Sequence, residues 1–125
     1  CDTIINCDYK DLAEFHEKNN YDITIVGSMI NHRVPYGICE IENEGKLVSL
    51  TEKPEYSYLV STGMYVLQGA VLKHIPLNKH FNMTDLIDKV RNTGGTIGVY
   101  PISEKSWLDT GEWKEYKKTV EQLSL

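Results

Sequence analysis

Short runs of apolar and β-branched residues alternate along this chain with segments whose apolar residues recur every three or four positions. That alternation limits the fold more than any other feature. Thr3-Ile4-Ile5-Asn6 reads as a strand, and Asp8 follows where a helix cap is expected. Tyr9, Leu12, Ala13 and His16 then share one face of an amphipathic helix that frays at Asn19-Asn20. Ile23-Thr24-Ile25-Val26 is β-branched and reads as a buried strand. Residues 36–42 and 46–53 predict two strands around Asn43-Glu44-Gly45, a polar, glycine-bearing hairpin loop. Pro54 ends the second arm because it has no N–H to give to a ladder.

Residues 58–67 predict another strand, with Gly63 inside it. A second helix is expected to start near Asn82, to bury Met83, Leu86, Ile87 and Val90, and to end at Gly94-Gly95. Residues 96–102 predict a strand. A last helix is expected after Gly111, with Trp113, Tyr116, Val120 and Leu123 on one side. Strands alternating with helices, plus one hairpin, predict a three-layer α/β domain with a mixed sheet. At 125 residues the chain has the length of one domain, and 41% apolar with 25% charged residues is a globular mix.

Charge and cysteine content exclude several function classes. Thirteen Lys and Arg against 18 Asp and Glu leave a net charge of -5, with no basic cluster, which makes nucleic acid an unfavourable partner. No apolar run reaches the roughly 18 residues of a membrane span, and no secretory signal pattern is visible. Cys1, Cys7 and Cys39 are three in number and lack paired spacing, so reduced thiols in a cytoplasmic compartment are expected. His16, His32, His74 and His80 are too scattered to suggest a metal cluster, and His16 reads as a core residue. The chain opens on Cys1 without a Met, already inside what reads as a strand, and is expected to be a piece of a longer protein.

In open α/β sheets, ligands sit where strands give way to loops. Asp8 and Asp109 both stand at such places, and two carboxylates from separate loops with a phosphate ligand are a common way to hold Mg²⁺. Alone, either is an ordinary cap or turn residue. Glu52-Lys53-Pro54 closes a strand, where Lys53 can meet a phosphate as a point charge and Glu52 can accept hydroxyl hydrogen bonds. Taken singly, that tripeptide is also an ordinary solvated strand end. Gly37 and Gly63 lie in strand patterns, which marks either a bulge or a close backbone approach by a ligand.

The motifs Asn6-x-Asp8, Tyr36-Gly37, Glu52-Lys53-Pro54, Thr62-Gly63-Met64-Tyr65-Val66-Leu67 and Trp107-Leu108-Asp109-Thr110-Gly111 occur in that order. Together they resemble the sugar-1-phosphate nucleotidylyltransferase family, most closely its mannose-1-phosphate guanylyltransferase-like branch. The resemblance covers the whole chain but only the second half of the family's catalytic domain. It implies a nucleotide-diphospho-sugar transferase-like, Rossmann-like partial domain without the N-terminal nucleotide-binding part. The implied reaction joins a sugar 1-phosphate to a nucleoside triphosphate, GTP by the branch, giving a nucleotide sugar and pyrophosphate. By the same resemblance, Asp8 and Asp109 would hold a catalytic Mg²⁺. Lys53 would bind the sugar phosphate and Glu52 the sugar hydroxyls. Gly37 and Gly63 would let backbone approach the hexose, with Ser61 and Tyr65 nearby.

Departures from the family pattern bear on these expectations. Cys7 sits where Gly or Ala is usual, and Ser61 where Asn is common. The family's glycine-rich triphosphate loop has no counterpart in these residues, so the chain alone is expected to be inactive. An open sheet edge would invite pairing with another copy. The alternative reading is a non-catalytic sugar-phosphate-binding or regulatory module of the same fold.

Overall fold

The computed structural model describes residues 3–111 and 113–123. Strand β1 (Thr3–Ile5) leads into helix α1 (Tyr9–Lys18), followed by β2 (Ile23–Arg33), β3 (Ile38–Ile41), β4 (Leu47–Thr51) and β5 (Glu55–Leu67). Helix α2 (Met83–Asn92), β6 (Ile97–Ser103), β7 (Trp107–Asp109) and α3 (Trp113–Gln122) complete the order. Strand β2 is central, with β5 antiparallel on one side and β6 parallel on the other. The sheet is therefore mixed, as the alternating pattern predicts.

Side-chain alternation along β2 builds the layers. Ile23 and the partly buried Ile25 join Val71, Leu86 and Val90 in a cluster under α2. On the opposite face, Val26 packs with Leu12 and Ile102 under α1. The same alternation runs through β5, whose Tyr65 and Leu67 face the α2 cluster while Met64 and Val66 face the α1 cluster. His16 is a buried residue of α1, with Nδ1 2.8 Å from the Thr24 hydroxyl oxygen. This matches its expected place on the core face.

Two elements run longer than their sequence pattern. Strand β2 continues past Val26 to Arg33, and β5 starts at Glu55 rather than Tyr58. The reason is mutual pairing: Ser28 through Arg33 match Val60 through Glu55 in unbroken register. A polar stretch such as Asn31-His32-Arg33 carries no local strand signal, so the partner strand decides its conformation. The expected hairpin forms as β3 and β4, trimmed to Ile38–Ile41 and Leu47–Thr51. Its Asn43–Gly45 turn places Glu44 at φ 62° and Gly45 at φ 83°.

Helix α2 starts where expected, the Asn82 N–H donating to the Asp85 carboxylate at 2.9 Å. Cys1 lies outside the described residues, as do the side chains of Trp113 and Tyr116 on the expected face of α3. No helix among the described residues is long and apolar enough to cross a membrane.

Candidate functional site

The hairpin register brings two of the motifs face to face. With Ile38 opposite Thr51, Gly37 falls opposite Glu52 and Tyr36 opposite Lys53. The Lys53 N–H donates to the Tyr36 carbonyl at 3.2 Å, and the Val34 N–H donates to the Pro54 carbonyl at 2.9 Å. A methyl group on Gly37 would stand 3.2 Å from Glu52 Oε2 and 3.3 Å from Leu50 Cδ1, so the carboxylate lies close over bare backbone. Lys53 itself has φ 43°, in the left-handed region that costs a side-chain-bearing residue energy. Residues held that way cluster at ligand-binding positions. Glu52, Lys53 and Gly37, all exposed, thus share one corner of the hairpin.

A second cluster sits on the β2–β5 ladder. Ile25 pairs with Tyr65 and Gly27 with Ser61, so Val26 alone opposes Thr62, Gly63 and Met64. The extra residues form a bulge. The buried Thr62 hydroxyl donates to the Val26 carbonyl at 2.8 Å and accepts from the Met64 N–H at 3.4 Å. Gly63 has φ +83°, and a Cβ there would meet no heavy atom within 4 Å. Ser61 Oγ lies 3.4 Å from both the Gly63 nitrogen and the Tyr65 hydroxyl oxygen. Of the two readings for Gly63, the bulge is therefore realised, and it leaves open space above the glycine.

Asp8 stands just past β1 and caps α1, its Oδ1 accepting from the Lys10 and Asp11 N–H groups at 3.0 Å each. Asp11 in turn accepts the Tyr100 hydroxyl at 2.6 Å, a bond that, with partial burial and the acidic neighbourhood, holds the phenol's pKa up at about 12. Burial and the nearby Asp8 carboxylate push the Cys7 thiol up as well. Asp109 lies in β7, which pairs antiparallel with β1 and sets Asp109 against Thr3. Its Oδ1 accepts from the Gly111 N–H at 2.9 Å, and it lines a cleft of about 180 Å³ with Ile30, Glu104 and Trp107.

These placements do not gather the expected residues into one pocket. Asp109 pairs with Thr3 at one end of the β1–β7 pair, whereas Asp8 lies three residues past Ile5 at its other end, so the two do not stand together as ligands of one Mg²⁺. Among the described residues, no group of three or more His, Cys, Asp or Glu could hold a metal ion. Lys53 precedes β5, and the six residue steps from Glu55 to Ser61 span roughly 20 Å of extended strand. What the structure does unite is Gly37 with Glu52 and Lys53, and Ser61 with Gly63 and Tyr65.

Sequence reasoning gave no role to Thr62, Asp11 or Tyr100. The Thr62 role could have been inferred from Gly63 as a bulge marker, since a bulge needs a partner for the carbonyl it displaces. The Asp11–Tyr100 bond joins residues 89 apart and leaves no local signal.

A family model described as nucleotidyl transferase matches residues 1–124. A glucose-1-phosphate adenylyltransferase from Acetivibrio thermocellus is 38% identical, over 92% of this chain and 29% of its own length. A mannose-1-phosphate guanyltransferase beta-A from Xenopus laevis is 25% identical, over 92% of this chain and 32% of its own. The crystal structure of HddC from Yersinia pseudotuberculosis superposes with a TM-score of 0.63 at 23% identity, over 98% of this chain and 52% of that one. The chain therefore spans under a third of the length of these curated relatives and about half of that solved structure. Their names differ in the nucleotide used, so the guanylyl branch is not singled out.

Proposed function

The chain belongs to the nucleotidyl transferase family, and from that premise we propose that it forms the sugar-acceptor side of an enzyme joining a sugar 1-phosphate to a nucleoside triphosphate. A phosphate oxygen of the sugar 1-phosphate attacks the α-phosphorus of the triphosphate. The bond to the bridging oxygen of the β-phosphate breaks, and pyrophosphate leaves. Positioning and charge neutralisation supply most of the catalysis in such transfers.

The observation that carries this reading is the union of Tyr36-Gly37 with Glu52-Lys53 across the hairpin. Lys53 binds the sugar phosphate as a point charge. Glu52 accepts hydrogen bonds from sugar hydroxyls, and Gly37 keeps a side chain from filling the space beside it. Ser61, Gly63 and Tyr65 contribute a second set of hydroxyl and backbone contacts. Asp8 and Asp109 are proposed to contribute separately, with no ion shared between them.

GTP is the proposed donor, supported by the order of the sequence motifs and by the guanyltransferase relative. ATP, supported by the adenylyltransferase relative, is the competing arm of the test. The test is pyrophosphate release by the whole protein as its gene encodes it, across sugar 1-phosphates and the four triphosphates. Saturable release that needs both substrates is expected. Release with no dependence on a sugar 1-phosphate would contradict the reading.

A further inference from the structure

We infer that Thr62 is a positioning residue for the sugar, its hydroxyl pinning the β5 bulge so that Ser61, Gly63 and Tyr65 face a polyol. This rests on the proposed function and adds to it a residue with no assigned role. Three observations support it. First, Thr62 is 3% exposed, and its hydroxyl is the group that satisfies the Val26 carbonyl where the ladder breaks. A buried carbonyl that loses a donor is costly, so this hydroxyl helps to fix the bulge geometry.

Second, the same oxygen accepts from the Met64 N–H, tying both sides of Gly63 to one atom. Gly63, exposed and at φ +83°, then leaves open the space that a Cβ would occupy. Third, the Ser61 and Tyr65 hydroxyls sit within 3.4 Å of each other on either side of that exposed turn. Two adjacent hydroxyls beside open backbone have the donors and acceptors that vicinal sugar hydroxyls match. Without the Thr62 pin, the two hydroxyls lose their fixed spacing although neither is altered.

The test uses the whole protein and measures KM and kcat for the sugar 1-phosphate separately. Thr62→Val should raise KM by about tenfold or more while kcat stays within about twofold, because ground-state and transition-state binding weaken together. Thr62→Ser, which keeps the hydroxyl, should restore KM to within about twofold of the wild type. A folded Thr62→Val protein with unchanged KM overturns the inference, as does a Thr62→Ser protein equally impaired.

If Thr62→Val does not fold, Thr62→Ala, which also removes the hydroxyl, carries the test; a raised KM supports the inference and an unchanged one overturns it. A wild type that releases no pyrophosphate with any sugar 1-phosphate overturns the proposed function and this inference together. An active wild type with an indifferent Thr62 overturns this inference alone.

Discussion

Asp109 faces Thr3 across the β1–β7 pair, and that register sets it at the end of β1 away from Asp8. The two aspartates therefore act on different local structures: Asp8 holds the first turn of α1, and Asp109 holds the turn into Gly111.

For Asp8 this separates two effects that a single substitution would mix. Asp8→Ala removes the cap and should cost about 1 kcal/mol of stability, whereas Asp8→Asn keeps an acceptor and should cost far less. If Asp8 contributes its charge to the transfer, Asp8→Asn should lower turnover with the melting temperature little changed. Thermal melts run beside pyrophosphate release distinguish the cases. Equal melting temperatures for Asn and Ala would contradict the capping role.

Gly98 offers a prediction about the fold alone. A methyl group there would run into the ring of Tyr21, which itself packs against Phe15 at 5.7 Å between centroids. Gly98→Ala should therefore destabilise by about 1–3 kcal/mol through overpacking. Gly63→Ala meets no atom, so its loss comes from backbone strain alone and should be smaller, about 1 kcal/mol. Denaturant midpoints of the two variants check the order.

The Tyr100–Asp11 bond makes stability depend on pH in the alkaline range. Tyr100 keeps its proton in the folded state up to about 12, against 10.0 for an unperturbed phenol. The folded protein binds that proton more tightly, so the contribution is complete below pH 10 and is lost as pH rises from 10 to 12. Tyr100→Phe should abolish that part of the pH dependence. Unfolding curves of the two proteins across that range measure the difference, and parallel loss in both would contradict the assignment.

Much of the scaffold was legible because its signals are local. The Asp8 cap, the Asn43-Glu44-Gly45 turn and the start of α2 each depend on residues within a turn of one another, whereas of the expected α1 face only Leu12 and His16 are buried, Tyr9 and Ala13 being exposed. The hairpin itself was legible, but the Gly37–Glu52–Lys53 corner was not, because a register shift between Glu40 and Ile41 moves every later pair by one residue from what the loop length alone would set. The extension of β2 to Arg33 was not legible, since its strand conformation comes from pairing with β5. The expected meeting of Asp8 with Asp109 depended on the direction of β7 relative to β1. A three-residue strand carries no sequence signal for its partner or its direction.

The central claim is that the corner built from Gly37, Glu52 and Lys53 takes the phosphate of a sugar 1-phosphate. Its most direct test is the KM for that substrate in the whole protein carrying Lys53→Met, which removes the ammonium while keeping a chain of similar length. Loss of a charge-assisted contact worth about 1.5–3 kcal/mol should raise KM roughly tenfold to a hundredfold, with the KM for the triphosphate little changed. An unaltered KM for the sugar 1-phosphate in a folded, active variant would contradict the account.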